Sequence, residues 1–304
     1  MEIIVRKLVI NIKLIVDWLI AQVVICSFKL IHMLPFLPTA AAASRVAQIL
    51  SPILPRRRVV MENLRHAFPE LTHKQRKQIL RGMWDNLARS AVEFIHLDKV
   101  MQLDPGDIDP GRVKIIAHRQ FFELRDSGKP AIVVAAHLAN WEIMPISAAL
   151  LGLNVVSVFR PPNNRFVARF ILKARSAHAG RLVPTMAGAG YEIMGVLERG
   201  GIVGQLVDQR FRRGARVPFL GRLAKTNTFP AKLARQFDCP VYGARVVRLP
   251  NSRFTVEMIG PIDLPRDPKG HVDVELATAK IASVVEGWIR EHPAQWLWMH
   301  RRWD

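Results

Sequence analysis

An α/β fold is what this sequence predicts, with a mostly parallel sheet flanked by helices and an N-terminal hydrophobic membrane-anchoring helix in front of it. Three observations predict it. Short apolar runs, 131–136, 155–159 and 202–207, alternate with amphipathic segments, the pattern of buried parallel strands covered by helices on both faces. The first 37 residues hold a long apolar stretch with a basic flank. Between these regions lies a basic segment of helical periodicity. With 304 residues, 50% of them hydrophobic, the chain is long enough to bury a sizeable core. It divides into an anchor over 1–37 and a globular domain over 38–304, the latter comprising a helical lead-in at 50–100 and an α/β core at 112–304.

The anchor rests on Leu14 to Leu34, LIVDWLIAQVVICSFKLIHML, which is interrupted only by Asp17, Lys29 and His32. A full span takes roughly 20 apolar residues. Arg6, Lys7 and Lys13 precede the stretch, and Trp18 suits a membrane interface. An uncleaved single-pass anchor and a helix lying in the headgroup layer both fit. A signal peptide, with Ala40-Ala41-Ala42 as its cleavage region, and a buried core helix are the competing readings. The stretch is too long and too interrupted for the first of these.

In the lead-in, Arg56-Arg57-Arg58 opens a helical region from Val59 to Phe94, broken by Phe68-Pro69-Glu70-Leu71-Thr72. Thr72 and Gln75 have the spacing of a capping box. Ile79, Met83, Leu87, Ala91 and Phe94 then recur at helical spacing. Beyond Pro130, the sequence predicts helices over 140–151, 165–177, 191–198, 231–237 and 274–290. Strands over 241–248 and 254–259 form a hairpin around Pro250-Asn251-Ser252.

Charge narrows the partners. Lys and Arg number 44 against 25 Asp and Glu, a formal net charge of +19. That balance attracts polyanions: nucleic acid, an anionic membrane or a phosphorylated substrate. No RNP motif, zinc finger or polybasic tail is present, so a nucleic-acid reading rests on charge alone. Two cysteines, Cys26 and Cys239, give no disulfide framework and no zinc site.

Chemistry collects beyond the carboxyl ends of parallel strands. Three strand ends here carry polar groups: His137 with Glu142, then Arg160 with Asn163 and Asn164, then Asp208-Gln209-Arg210. In one continuous helix, positions five apart diverge by about 140°, because each residue turns about 100°. His137 and Glu142 therefore cooperate only if the helix starts between them. Asn140 is the expected N-cap, and Pro145 is tolerated only near a helix start. A carboxylate that orients an imidazole makes a general base able to activate a hydroxyl.

The His-x-x-x-x-Glu arrangement after a strand resembles the H-x4-D/E signature of glycerolipid and lysophospholipid acyltransferases. The wider sequence resembles one branch, the lipid A biosynthesis acyltransferases. Asn63-Leu64 through Ala67-Phe68-Pro69-Glu70 resembles that branch's NL…AFPE. Phe159-Arg160-Pro161 with Asn163 resembles its second block. Asp208-Gln209-Arg210, Val217-Pro218-Phe219-Leu220-Gly221 and Ala224-Lys225-Thr226 resemble its third. Residues 293–303, PAQWLWMHRRW, resemble its C-terminal P-x-Q-x-x-W-x-H-R-R. Leu220 stands where a second aromatic is common, and Asn164 where proline is common.

The resemblance implies acyl carrier protein as donor and a hydroxyl of a phosphorylated glucosamine-based lipid as acceptor. It places the protein at the bacterial inner membrane with its site on the cytoplasmic side. It implies His137 as general base, with Glu142 orienting it or Asp208 in that role instead. Arg160 or a backbone N–H would meet the oxyanion. Arg160, Asn163, Arg210 and Arg213 are implied as acceptor-binding, while Arg301 and Arg302 would hold phosphate or brace the fold. No metal and no cofactor is required, and no G-x-S-x-G motif is present for a serine acyl-enzyme. Another phospholipid or glycolipid acceptor, and a non-catalytic basic membrane- or nucleic-acid-binding protein, are the alternatives.

Overall fold

The apolar runs become the centre of a seven-stranded sheet. The computed structural model describes residues 2–101, 111–116, 118–176 and 178–303. Its strands are β1 (Val113–Ile116), β2 (Ala131–Ala135), β3 (Val155–Phe159), β4 (Leu182–Pro184), β5 (Ile202–Leu206), β6 (Ala215–Phe219), β7 (Arg222–Thr226), β8 (Val241–Leu249) and β9 (Arg253–Ile259). The large sheet runs β1-β9-β8-β2-β5-β3-β4, and β6 and β7 form a separate hairpin. Every pairing in the large sheet is parallel except β8 with β9, the expected hairpin.

The helices are α1 (Glu2–Met33), α2 (Phe36–Leu50), α3 (Arg57–Ala67), α4 (His73–Ile95), α5 (Leu97–Val100), α6 (His118–Asp126), α7 (Ile143–Leu150), α8 (Arg165–Ser176), α9 (Ala189–Glu198), α10 (Phe229–Phe237) and α11 (Val274–Glu291). The expected end of α8 at Ala177 lies outside the described residues. Thr72 and Gln75 form a reciprocal capping box at the start of α4.

β2 is buried on both sides, as parallel strands covered by helices must be. Ile132 and Val134 join one core, with α3, α4, α9, α10 and α11. Ala131 joins a second core, with α6, α7, β1 and the start of α2. From β2 the chain crosses through α7 to β3. From β5 it leaves in the opposite direction, through the β6–β7 hairpin and α10, to β8 on the far side of β2. The crevice between the carboxyl ends of β2 and β5 is thus a topological switch point, where open α/β sheets hold their ligands.

Within α1, Asn11–Met33 is long and apolar enough to cross a membrane. The side chains of Arg6 and Lys7, part of its expected basic flank, lie outside the described residues. The helix touches the rest of the fold along one stripe. Asp17 accepts a hydrogen bond at its carbonyl from Asn164 Nδ2 (2.7 Å). Ala21 is buried, Phe28 meets Phe94 and Phe170 edge-on, and His32 stacks on His96.

Candidate active site

β2 and β5 pair in register through Ala135 and Leu206. His137 and Asp208 each follow two residues later, so the parallel register sets them side by side. Nδ1 of His137 lies 2.8 Å from Oδ1 of Asp208. The backbone N–H of His137 donates to Oδ2 at 3.1 Å. Trp296 donates its indole N–H to the same Oδ2 at 2.7 Å. Three donors thus converge on a carboxylate that is 2% exposed. Burial alone would raise its pKa, but the His137 charge and these hydrogen bonds outweigh burial and lower it from 3.8 to about 2.

The Asp208 contact fixes His137 with Nδ1 protonated and leaves Nε2 to take a proton. Burial opposes the imidazolium. The charge and hydrogen bond of Asp208, together with the charge of Glu142, more than offset this and raise the His137 pKa above 6.5. Trp141 packs edge-on to the imidazole, with centroids 5.0 Å apart. Gln209 Nε2 lies 3.4 Å from Nδ1 and 3.2 Å from Nε2. An atom nearly equidistant from both ring nitrogens cannot lie along either lone pair, so it sits over the ring face. The same amide nitrogen is 3.0 Å from Nε2 of His300. Burial, and then the His137 charge, lower the pKa of His300.

The helix break expected between His137 and Glu142 is present, but Asn140 is not its cap. α7 begins at Ile143 with Glu142 in the N-cap position, and the Asn140 side chain donates to Glu93 Oε2 at 3.1 Å. Glu93 is fully buried on α4 and ion-paired with Arg248 of β8. A buried charge demands every available donor, and this one claims the Asn140 amide. The loop is further pinned at Ala139, whose φ is +49°. Its carbonyl accepts from Asn86 Nδ2, and its N–H donates to the Gln295 carbonyl.

Glu142 was expected to orient His137, but no hydrogen bond joins them. Its carboxylate pairs with Arg175 of α8 and accepts the Trp141 indole N–H at 3.1 Å. The reason is positional: Glu142 has begun the helix and turned towards α8, while Asp208 stands on the adjacent strand.

A family model for bacterial lipid A biosynthesis acyltransferases matches residues 7–304. The chain belongs to that family. No individual curated protein matches it. Acyl transfer in lipid A biosynthesis, a lipid acceptor and membrane association come with that membership.

Around the His137–Asp208 pair, the other sequence-derived residues are placed unequally. Arg210 is partly buried, and its Nε is buried without a hydrogen-bond partner among the described residues. Arg160, Asn163 and Arg213 are exposed. Asn164, the departure from the family's proline, caps α8 by accepting from the Phe166 and Val167 N–H groups. Arg302 braces the fold: it donates to the Lys225 carbonyl and Thr226 Oγ1 and lies over the Phe219 ring. Burial pushes its pKa down to about 10.

Sequence reasoning missed Trp296, Gln209, His300, Trp141 and Arg175 as parts of this candidate site. The signal for Trp296 was its position in a tryptophan-rich segment that resembles the family's C-terminus. Gln209 adjoins Asp208 and was passed over as a neighbour.

Proposed function

We propose that this chain transfers a fatty acyl group from acyl carrier protein to a hydroxyl of a phosphorylated glucosamine-based lipid A precursor. His137 is the general base, and Asp208 is the carboxylate that orients it. The observation that carries this reading is the 2.8 Å contact between His137 Nδ1 and a fully buried Asp208, which presents Nε2 as a base.

In this mechanism, Nε2 of His137 takes the proton of the acceptor hydroxyl as its oxygen attacks the thioester carbonyl. Asp208 stabilises the imidazolium so formed, and Glu142 adds to the same field from a greater distance. Arg160 or a backbone N–H meets the developing oxyanion. The tetrahedral intermediate collapses, the C–S bond breaks, and the imidazolium returns its proton to the departing thiolate. Arg210, Arg213 and Asn163 bind the acceptor headgroup. The basic surface of the protein suits acidic acyl carrier protein and an anionic inner-membrane leaflet. The site faces the cytoplasm in this reading.

The test is reconstitution with acyl-acyl carrier protein and phosphorylated precursor, with the product mass read by mass spectrometry. A mass gain of one acyl chain, absent with His137→Ala, is expected. Transfer only to a glycerophospholipid, or salt-sensitive DNA binding without any transfer, would overturn the proposal.

A further inference from the structure

α8 is an amphipathic helix that finds little cover within the fold. Arg165, Arg169 and Lys173 recur every fourth residue and form one exposed cationic stripe. Phe166, Phe170 and Ile171 stand between them, yet no residue of α8 is buried. An amphipathic helix of a soluble domain normally sinks its apolar face into a core. Here α1 is laid beside it instead, joined by the Asn164–Asp17 hydrogen bond at one end and the Phe170–Phe28 contact, with centroids 5.3 Å apart, further along. The outward face of α1 is apolar and exposed: Ile15 59%, Leu19 52% and Val23 67%. Leu172 of α8 is also exposed. The exposed cations of α8 therefore sit on a helix packed against one whose own outward side chains are apolar and exposed.

We propose that α8 is a second membrane contact, seated in the headgroup layer of an anionic leaflet beside α1. Arg165, Arg169 and Lys173 meet lipid phosphates there. This deepens the membrane association of the proposed function and rests on it. Two features choose a lipid surface over other occupants. The cationic stripe complements anionic headgroups, and α8 packs directly against α1, the helix long enough to cross a membrane. Long basic side chains bury their stems in an apolar layer while holding their charge at its edge. α8 starts directly after the Arg160–Asn164 segment at the carboxyl end of β3. Seating α8 therefore brings that edge of the sheet to the lipid surface, where an acceptor headgroup resides.

The experiment uses the full chain reconstituted in vesicles. The exposed Cys26 is replaced by Ser, the buried Cys239 is retained, and an environment-sensitive dye is placed at Leu172→Cys. Vesicles of phosphatidylcholine alone are compared with vesicles containing phosphatidylglycerol. The dye is expected to be quenched by headgroup-level spin-labelled lipid, more strongly with phosphatidylglycerol and less at high salt. Combining Arg165→Glu, Arg169→Glu and Lys173→Glu should weaken docking by at least about a hundredfold, at about fivefold for each of the three cations lost and more from the anions gained, and return the dye to water while α1 stays inserted. A water-exposed dye in both vesicle types overturns the proposal. So does a dye buried without lipid quenching, which would mean that a second copy of the chain covers α8. So does quenching unaffected by charge reversal. No readout involves acyl transfer, so failure here is distinguishable from failure of the catalytic reading.

Discussion

Trp296 and Asp208 are joined by a buried N–H···O bond of 2.7 Å, although 88 residues separate them in the chain. The indole holds one carboxylate oxygen while His137 Nδ1 holds the other. A hydrogen bond to a charged group contributes about 1.5–3 kcal/mol. Trp296→Phe should therefore lower stability at neutral pH by about that amount in urea unfolding. It should lower kcat/KM by about ten- to a hundredfold if the loss is felt fully in the transition state. Its distinguishing mark is a raised Asp208 pKa, readable as acid unfolding that begins at higher pH. An unchanged acid limb would reduce Trp296 to simple packing.

His137→Ala should cost about two to four orders of magnitude in kcat, the range for loss of a general base. Because it also strips buried Asp208 of a hydrogen-bond donor, it should lower stability by an amount comparable to Trp296→Phe. Asp208→Asn should cost more activity than Glu142→Gln, because only Asp208 hydrogen-bonds the ring. The reverse order in a steady-state assay would restore Glu142 as the orienting carboxylate.

The pH–rate profile follows from the raised His137 pKa. A base acts when neutral, so kcat/KM should rise with pH through a value above 6.5 and level off beyond it. Asp208→Asn removes the charge and the hydrogen bond that raise this pKa and leaves burial in place, so the limb should move to lower pH. For stability the signs are opposite. The His137 contribution is complete below 6.5 and lost as pH rises through its folded value. That of Asp208 is present above 3.8 and lost as pH falls through about 2. Unfolding midpoints across pH, for wild type and His137→Ala, check both.

Arg210 carries a buried guanidinium nitrogen without a partner among the described residues. If it binds acceptor phosphate, Arg210→Ala should raise acceptor KM and lower kcat/KM about ten- to a hundredfold for phosphorylated acceptor. Dephosphorylated acceptor should show little difference. Arg210→Lys should rescue only in part, because an ammonium lacks the planar fork. Equal loss with both acceptors would rule out the phosphate contact.

Glu93→Ala strips the counter-charge from Arg248 and the acceptor from Asn140. Breaking such a buried pair costs about 3–5 kcal/mol, measurable in urea. The loop between His137 and Glu142 should loosen with it, seen as faster amide exchange at Asn140. Stability within about 1 kcal/mol of wild type would show that Arg248 finds another partner.

The central strands were legible because each is a short, continuous apolar run, and the capping box because Thr72 and Gln75 fix it locally. β6 and β7 were not legible. Their sequences, ARVPF and RLAKT, are mixed, and their turn places Leu220 and Gly221 at φ of 50° and 79°. A buried leucine is not a residue from which such a turn is read. In the site, His137 and the break after it followed from strand-end logic. Asp208 was legible only as an alternative partner, from the expectation that its strand lies near. Preferring it to Glu142 required the strand order β2-β5-β3, which spacing along the chain does not contain. The fate of Asn140 depended on a buried ion pair between α4 and β8, equally invisible to local pattern.

The reach of the Asp208 contacts also bears on how the chain matures. Its two side-chain partners come from stretches 71 and 88 residues away. Non-local closures of this kind form late and slowly, since their entropy must be spent before any contact rewards it. On the proposed mechanism, a chain that has not yet closed these contacts has a histidine but no assembled base, so activity should appear only with the last long-range closures of the fold.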